Sequence, residues 1–80
     1  MSALNGRLTG LVAQVLDLPP AQAEHAAVET TPGWDSLAHF RLLMAVEEEF
    51  GVSFSPDEID ELDSVERIGG AVDRLLNASR

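Results

Sequence analysis

The 80-residue chain contains no cysteine and no lysine. Without cysteine it has no disulfide and no thiolate metal ligand, and chemistry that needs a thiol must bring it from outside. Without lysine its positive charge rests on five arginines, set against fourteen aspartates and glutamates, for a net charge of −9. Such a surface repels nucleic acid and anionic membranes and suits basic protein partners. No basic patch for nucleic acid is present. No apolar run approaches the roughly 20 residues of a membrane span, and no signal-peptide pattern opens the chain. The expectation is a cytoplasmic protein, a monomer, with neither nucleic acid nor membrane as partner. A chain this short is one domain, over 1–80, and buries only about 60–65% of its unfolded surface. That leaves little room for a deep enclosed active site.

Period-2 alternation is absent, and helical spacing is present throughout. From about Ala3 to Asp17, Leu4, Leu8, Leu11, Val12, Val15 and Leu16 form one stripe, which Pro19-Pro20 stops. A long connection follows, Pro19 to Gly33. Ala21–Glu24 reads as a helical turn, Val28 as an isolated apolar anchor, and Thr30-Thr31-Pro32-Gly33 as turn chemistry. Trp34 is expected to pin this loop to the bundle. A second helix starts near Asp35 or Ser36, with Asp35 as N-cap, and ends at Phe50-Gly51. A short third begins with the capping box Ser55-Pro56-Asp57-Glu58, uses Ile59 and Leu62 as apolar contacts, and stops at Asp63. A fourth carries Val65, Ile68, Val72, Leu75 and Leu76; close helix packing would justify its Gly69-Gly70. The pattern predicts an all-α, four-helix bundle with a long loop between the first and second helices and a short third helix.

The second helix has two stripes when projected at about 100° per residue. Leu42, Leu43, Val46 and Phe50 face the core, with His39 among them. Leu37, Phe40 and Met44 form a second apolar group beside Arg41, Glu47 and Glu48. Phe40 lies between the faces and either packs under the loop or joins this group. Leu37 and Met44 are expected to be exposed partner contacts, since apolar anchors rimmed by charge are how small interfaces are built.

Few residues offer chemistry. Ser36 and His39 are three apart and could form a hydrolytic dyad, but no oxyanion hole or orienting acid accompanies them. The acids between Leu42 and Glu66, nine without one basic residue, lack the order and the central glycine of an EF-hand loop, and no metal site is expected. They are either a solvated face or a partner-facing one. Ser36 stands apart. A phosphoryl group there would sit at a helix N-terminus, where free N–H groups and the dipole favour negative charge.

Asp35-Ser36-Leu37, then Leu42-Leu43-Met44-Ala45-Val46-Glu47-Glu48-Glu49-Phe50-Gly51, then Ser55-Pro56-Asp57-Glu58 and Val65, resemble the carrier-protein family: acyl carrier proteins and their peptidyl and aminoacyl relatives. The resemblance implies a non-enzymatic four-helix bundle whose Ser36 bears covalent 4′-phosphopantetheine, added from coenzyme A by a Mg²⁺-dependent phosphopantetheinyl transferase. The arm's thiol would hold an acyl or aminoacyl cargo as a thioester. By the same resemblance Asp35 assists transferase recognition. It also implies that Leu37, Met44, Glu47 and Glu48 dock a loading ligase or acyltransferase and downstream pathway enzymes through basic patches on those partners, while Phe40 and Arg41 beside them depart from the commonest carriers and are expected to set the choice of partner. Fatty-acid carriers commonly have an acid at the position of Arg41. Here the run is Ala38-His39-Phe40-Arg41, and the form Gly33-Trp34-Asp35-Ser36-Leu37-Ala38-His39 is more similar to free-standing carriers of polyketide, nonribosomal peptide or polysaccharide-related pathways; Phe40 favours a short or polar cargo. The alternatives are a fatty-acid synthesis carrier or an unmodified acidic helical adaptor.

Overall fold

The computed structural model describes residues 3–78, with side chains from residue 6 onward, so Leu4 of the first stripe lies outside the described side chains. Five helices follow in order: α1 (Ala3–Leu16), α2 (Pro20–Ala23), α3 (Ser36–Phe50), α4 (Pro56–Ile59) and α5 (Val65–Ala78). Among the described residues all regular structure is helical, apart from an isolated antiparallel bridge between Ala27 and Ser64. The all-α class stands, and the count of four helices gives way to five. The added one is α2, where only a turn was expected. Pro19 is extended there and Pro20 occupies the first turn, where its missing N–H costs no hydrogen bond.

Six side chains are almost wholly withdrawn from solvent: Leu8 and Val12 of α1, Leu42 and Val46 of α3, Ile68 and Val72 of α5. Each long helix thus contributes one i, i+4 pair from a single face. Burying a side chain of this kind is worth about 1.5–3 kcal/mol. Helix α1 is central, packing against α2, α3 and α5. Leu11, Val15, Leu75 and Leu76 lie partly buried at the margin.

The helix ends are closed by specific backbone bonds. Asp17 takes a left-handed φ of 55°, and the Leu18 N–H donates to Ala13 O at 2.9 Å. This closure ends α1 one residue before Asp17, ahead of the prolines. At the end of α3, Gly51 has φ 67°, and the N–H groups of Gly51 and Val52 both donate to Glu47 O, at 2.9 and 3.1 Å. The capping box of α4 forms as expected: Glu58 N–H donates to Ser55 Oγ at 3.4 Å, and Ser55 N–H to Glu58 Oε1 at 3.0 Å. That backbone N–H, and then the Arg74 guanidinium, hold the Glu58 carboxyl below the ordinary carboxylate range. Ile59 is half-buried and Leu62 buried. Close packing does not explain Gly70, because a Cβ added there would meet nothing within 4 Å.

The loop between α2 and α3 is pinned by the buried Trp34, as expected, but not by Val28. Val28 is 39% exposed, so its side chain is not the buried anchor the sequence suggests. Its backbone anchors the loop: Val28 N–H donates to Asp63 O at 2.8 Å, and Val65 N–H to Ala26 O at 3.0 Å. Ala26, Thr31 and Trp34 are the loop residues that reach the interior, and Thr31 Oγ1 accepts the Ala27 N–H at 3.3 Å. The loop is therefore stitched to the connection between α4 and α5. Placing alanine at Gly51 forces a Cβ into the left-handed region. Gly51→Ala should lower unfolding free energy by about 1 kcal/mol in urea titration; an unchanged midpoint would show that φ relaxes there without strain.

Candidate functional site

The start of α3 is built by three local devices. The Trp34 N–H donates to Thr31 O at 2.9 Å, closing the Thr31-Pro32-Gly33-Trp34 turn. Asp35 is extended, at φ −94° and ψ −174°, and serves as N-cap. Its Oδ1 accepts the Ala38 N–H at 2.9 Å, and its carbonyl accepts the His39 N–H at 2.8 Å. Ser36 is then the first helical residue, and it is exposed. Its hydroxyl has no hydrogen bond among the described residues, and the N–H groups of Ser36 and Leu37 have no acceptor there. An exposed nucleophilic oxygen beside free N–H groups suits a covalently bound anion.

Leu37, Phe40 and Met44 are 58%, 59% and 53% exposed. Of the two alternatives for Phe40, membership of the exposed stripe is the one found. The loop turns toward Asp63 and Ser64 instead and leaves the ring uncovered. Arg41 and Glu48 are exposed beside it, and neither makes an ion pair among the described residues. Glu47 has a structural task as well. It is half-buried, and its Oε2 accepts the Phe54 N–H at 2.7 Å. Phe54 is buried, a core residue that the helical stripes did not reveal because it lies in the segment between α3 and α4. Among the described residues, no group of three or more acids and histidines is placed to hold a metal ion.

His39 is half-buried, as its place on the core stripe implied, and its ring is fully engaged. Trp34, buried at 3% exposure, donates its indole N–H to His39 Nδ1 at 2.9 Å. His39 Nε2 lies 2.8 Å from Ile59 O. An indole N–H only donates and a carbonyl only accepts, so Nδ1 is the acceptor and Nε2 carries the proton. Neither nitrogen has a lone pair left for the Ser36 hydroxyl, which removes the base from the Ser–His dyad. Sequence reading placed Trp34 and His39 in the interior separately. Their pairing crosses the helix boundary at i, i+5, outside the helical spacings that pattern reading uses.

A family model described as the phosphopantetheine attachment site matches residues 6–72. The chain belongs to this family. It is a member of the acyl carrier protein family, and the prosthetic group of such a domain is covalently bound 4′-phosphopantetheine. The match runs from α1 through Val72 of α5 and includes the turn before α3. Residues at that turn fit the group chemically: a reachable hydroxyl, free N–H groups for a phosphodiester, and open solvent for a long arm. Carrier domains of this family are non-catalytic. On this carrier Glu47 and Glu48 should separate cleanly in chemical denaturation. Glu47→Ala leaves the Phe54 N–H without its charged acceptor and should cost about 1.5 kcal/mol, while Glu48→Ala should stay within about 0.5 kcal/mol of wild type. Equal effects would contradict the structural task assigned to Glu47.

Proposed function

We propose that Ser36 bears the phosphopantetheine, and that the chain is a discrete carrier that shuttles an acyl or aminoacyl group between the enzymes of a specialised biosynthetic pathway. The observation that carries this reading is the exposed, unbonded Ser36 hydroxyl at the first position of α3, held in a defined turn. In the attachment step the Ser36 oxygen bonds to the phosphorus of coenzyme A's pantetheine phosphate. The pyrophosphate P–O bond breaks, 3′,5′-ADP leaves, and the hydroxyl proton passes to a base on the transferase. Once bound, the group supplies the thiol that the chain itself lacks. Asp35 presents its second carboxylate oxygen at the same turn, Oδ1 being occupied by the cap, and assists transferase recognition. Leu37, Phe40 and Met44 anchor the transferase, the loading ligase or acyltransferase, and the downstream enzymes, with Arg41, Glu47 and Glu48 as the charged rim.

Arg41 and Phe40 support the specialised pathway over fatty-acid synthesis. A partner whose patch is uniformly basic meets an unpaired cation at Arg41, and like charges across an interface are costly. The bulk of Phe40 beside it adds an apolar anchor that a partner must have a recess to receive.

Incubation with coenzyme A and a broad-specificity phosphopantetheinyl transferase should raise the intact mass by one phosphopantetheine in wild type and not in Ser36→Ala. No gain in wild type would leave an unmodified acidic adaptor as the better reading. The holo carrier should also be a poor substrate for a fatty-acid-synthase malonyl transferase, and Arg41→Glu should lower KM there about fivefold. Wild-type loading as efficient as that of a fatty-acid carrier would overturn the specialised assignment.

A further inference from the structure

The attachment turn has a problem of rigidity. Asp35, Ser36 and Leu37 are all exposed, and exposed residues near a loop are free to move unless something buried holds them. On the helical side the hold is the Asp35 cap. On the loop side it is Trp34, two residues before Ser36. The indole is buried, and its N–H reaches across the helix start to His39. The two rings lie 5.9 Å apart at 33°. His39 passes the connection on to Ile59 O, the last residue of α4. A single line of hydrogen bonds, indole N–H to imidazole to carbonyl, therefore ties the attachment turn, the first turns of α3 and the end of α4 together.

The geometry points to Trp34 and His39 as positioning residues for the modification of Ser36. Neither bonds to the hydroxyl. They fix the turn that presents it, so that the Ser36 oxygen meets the phosphorus of coenzyme A in one orientation. This inference rests on the Ser36 assignment proposed above. His39 lies roughly 160° around the helix from Leu37, so the relay and the docking stripe occupy opposite faces of α3. Breaking the relay leaves the docking face intact. The loss appears in the rate of the bound complex rather than in its formation, because a misplaced nucleophile lowers reactivity without removing binding contacts.

The test uses the full chain, coenzyme A and a broad-specificity phosphopantetheinyl transferase, with modification followed by intact mass. Trp34→Phe keeps an aromatic ring and removes the donor; His39→Leu keeps the bulk and removes both relay atoms. Each should lower kcat about tenfold while KM stays within about twofold. The double variant should be no slower than either single variant, because one break already opens the relay. His39→Gln offers an acceptor oxygen and a donor NH₂ in the same order and should recover at least about half the lost rate. Independently of modification, ¹⁵N NMR of wild type should show His39 as the Nε2–H tautomer. Wild-type kcat in folded Trp34→Phe and His39→Leu would overturn the inference, as would an Nδ1–H tautomer. If Trp34→Phe loses its helical circular dichroism, the His39 variants and the tautomer decide. A wild type that accepts no phosphopantetheine refutes the Ser36 assignment and this inference with it. Modified wild type with unaffected variants refutes the positioning role alone.

Discussion

A residue that other enzymes must reach cannot be fixed by its own burial. On the assignment proposed for Ser36, the constraint is met by Trp34, whose indole sits in the core and whose N–H is bound by His39. The exposed serine is thereby held from two positions away. A tryptophan in the interior needs a partner for its N–H, and the half-buried histidine supplies it while spending its own proton on Ile59 O. Among the described residues no buried side-chain nitrogen or oxygen is left without a partner. The other features of the site build on that contact: the turn from Thr31 to Trp34, the Asp35 cap, and the exposed first residue of α3.

Around this contact the fold divides its labour. Three long helices fill the centre with i, i+4 pairs, and Leu37, Phe40 and Met44 of α3 are left exposed. The acidic end of α3 is partly settled by α1. Arg7 Nη2 donates to Glu49 Oε2 at 2.9 Å and to Glu49 O at 3.1 Å, and its guanidinium lies 4.6 Å from the centre of the Phe50 ring. The ion pair is exposed and adds little stability. Its effect is local: Glu49 faces α1, Glu47 caps Phe54, and Glu48 alone of the three projects freely beside Met44. In a uniform run of three glutamates, two are thus tied into the fold and one is left free among the described residues.

The parts of the fold that were legible in the sequence are those set by local periodicity and end chemistry. The core stripe of Leu42, Leu43, Val46 and Phe50, the Gly51 terminus and the Ser55–Glu58 box all depend on neighbours within about four residues, and all are found as read. The exposure of Leu37 and Met44 followed from the same projection. What was not legible depends on contacts between segments. Val28 reads as an anchor because it is apolar, yet the loop is held by its backbone pairing to Asp63, which no side-chain pattern encodes. The bonds from Trp34 to His39 and from Phe54 to Glu47 cross helix ends. Helix α2 is a single turn after the prolines, expected as a helical turn at Ala21–Glu24 and found one residue earlier, at Pro20–Ala23.

The family match over residues 6–72 puts carrier chemistry on a small acidic bundle that has no thiol of its own. The claim on which function depends is that Ser36 carries the arm in the cell. The most direct measurement is tandem mass spectrometry of the chain purified from its native cells. A phosphopantetheine fragment on the peptide that contains Trp34-Asp35-Ser36-Leu37, localised to Ser36, is the predicted result. An arm on any other residue, or a chain left wholly unmodified beside an active transferase, would contradict it.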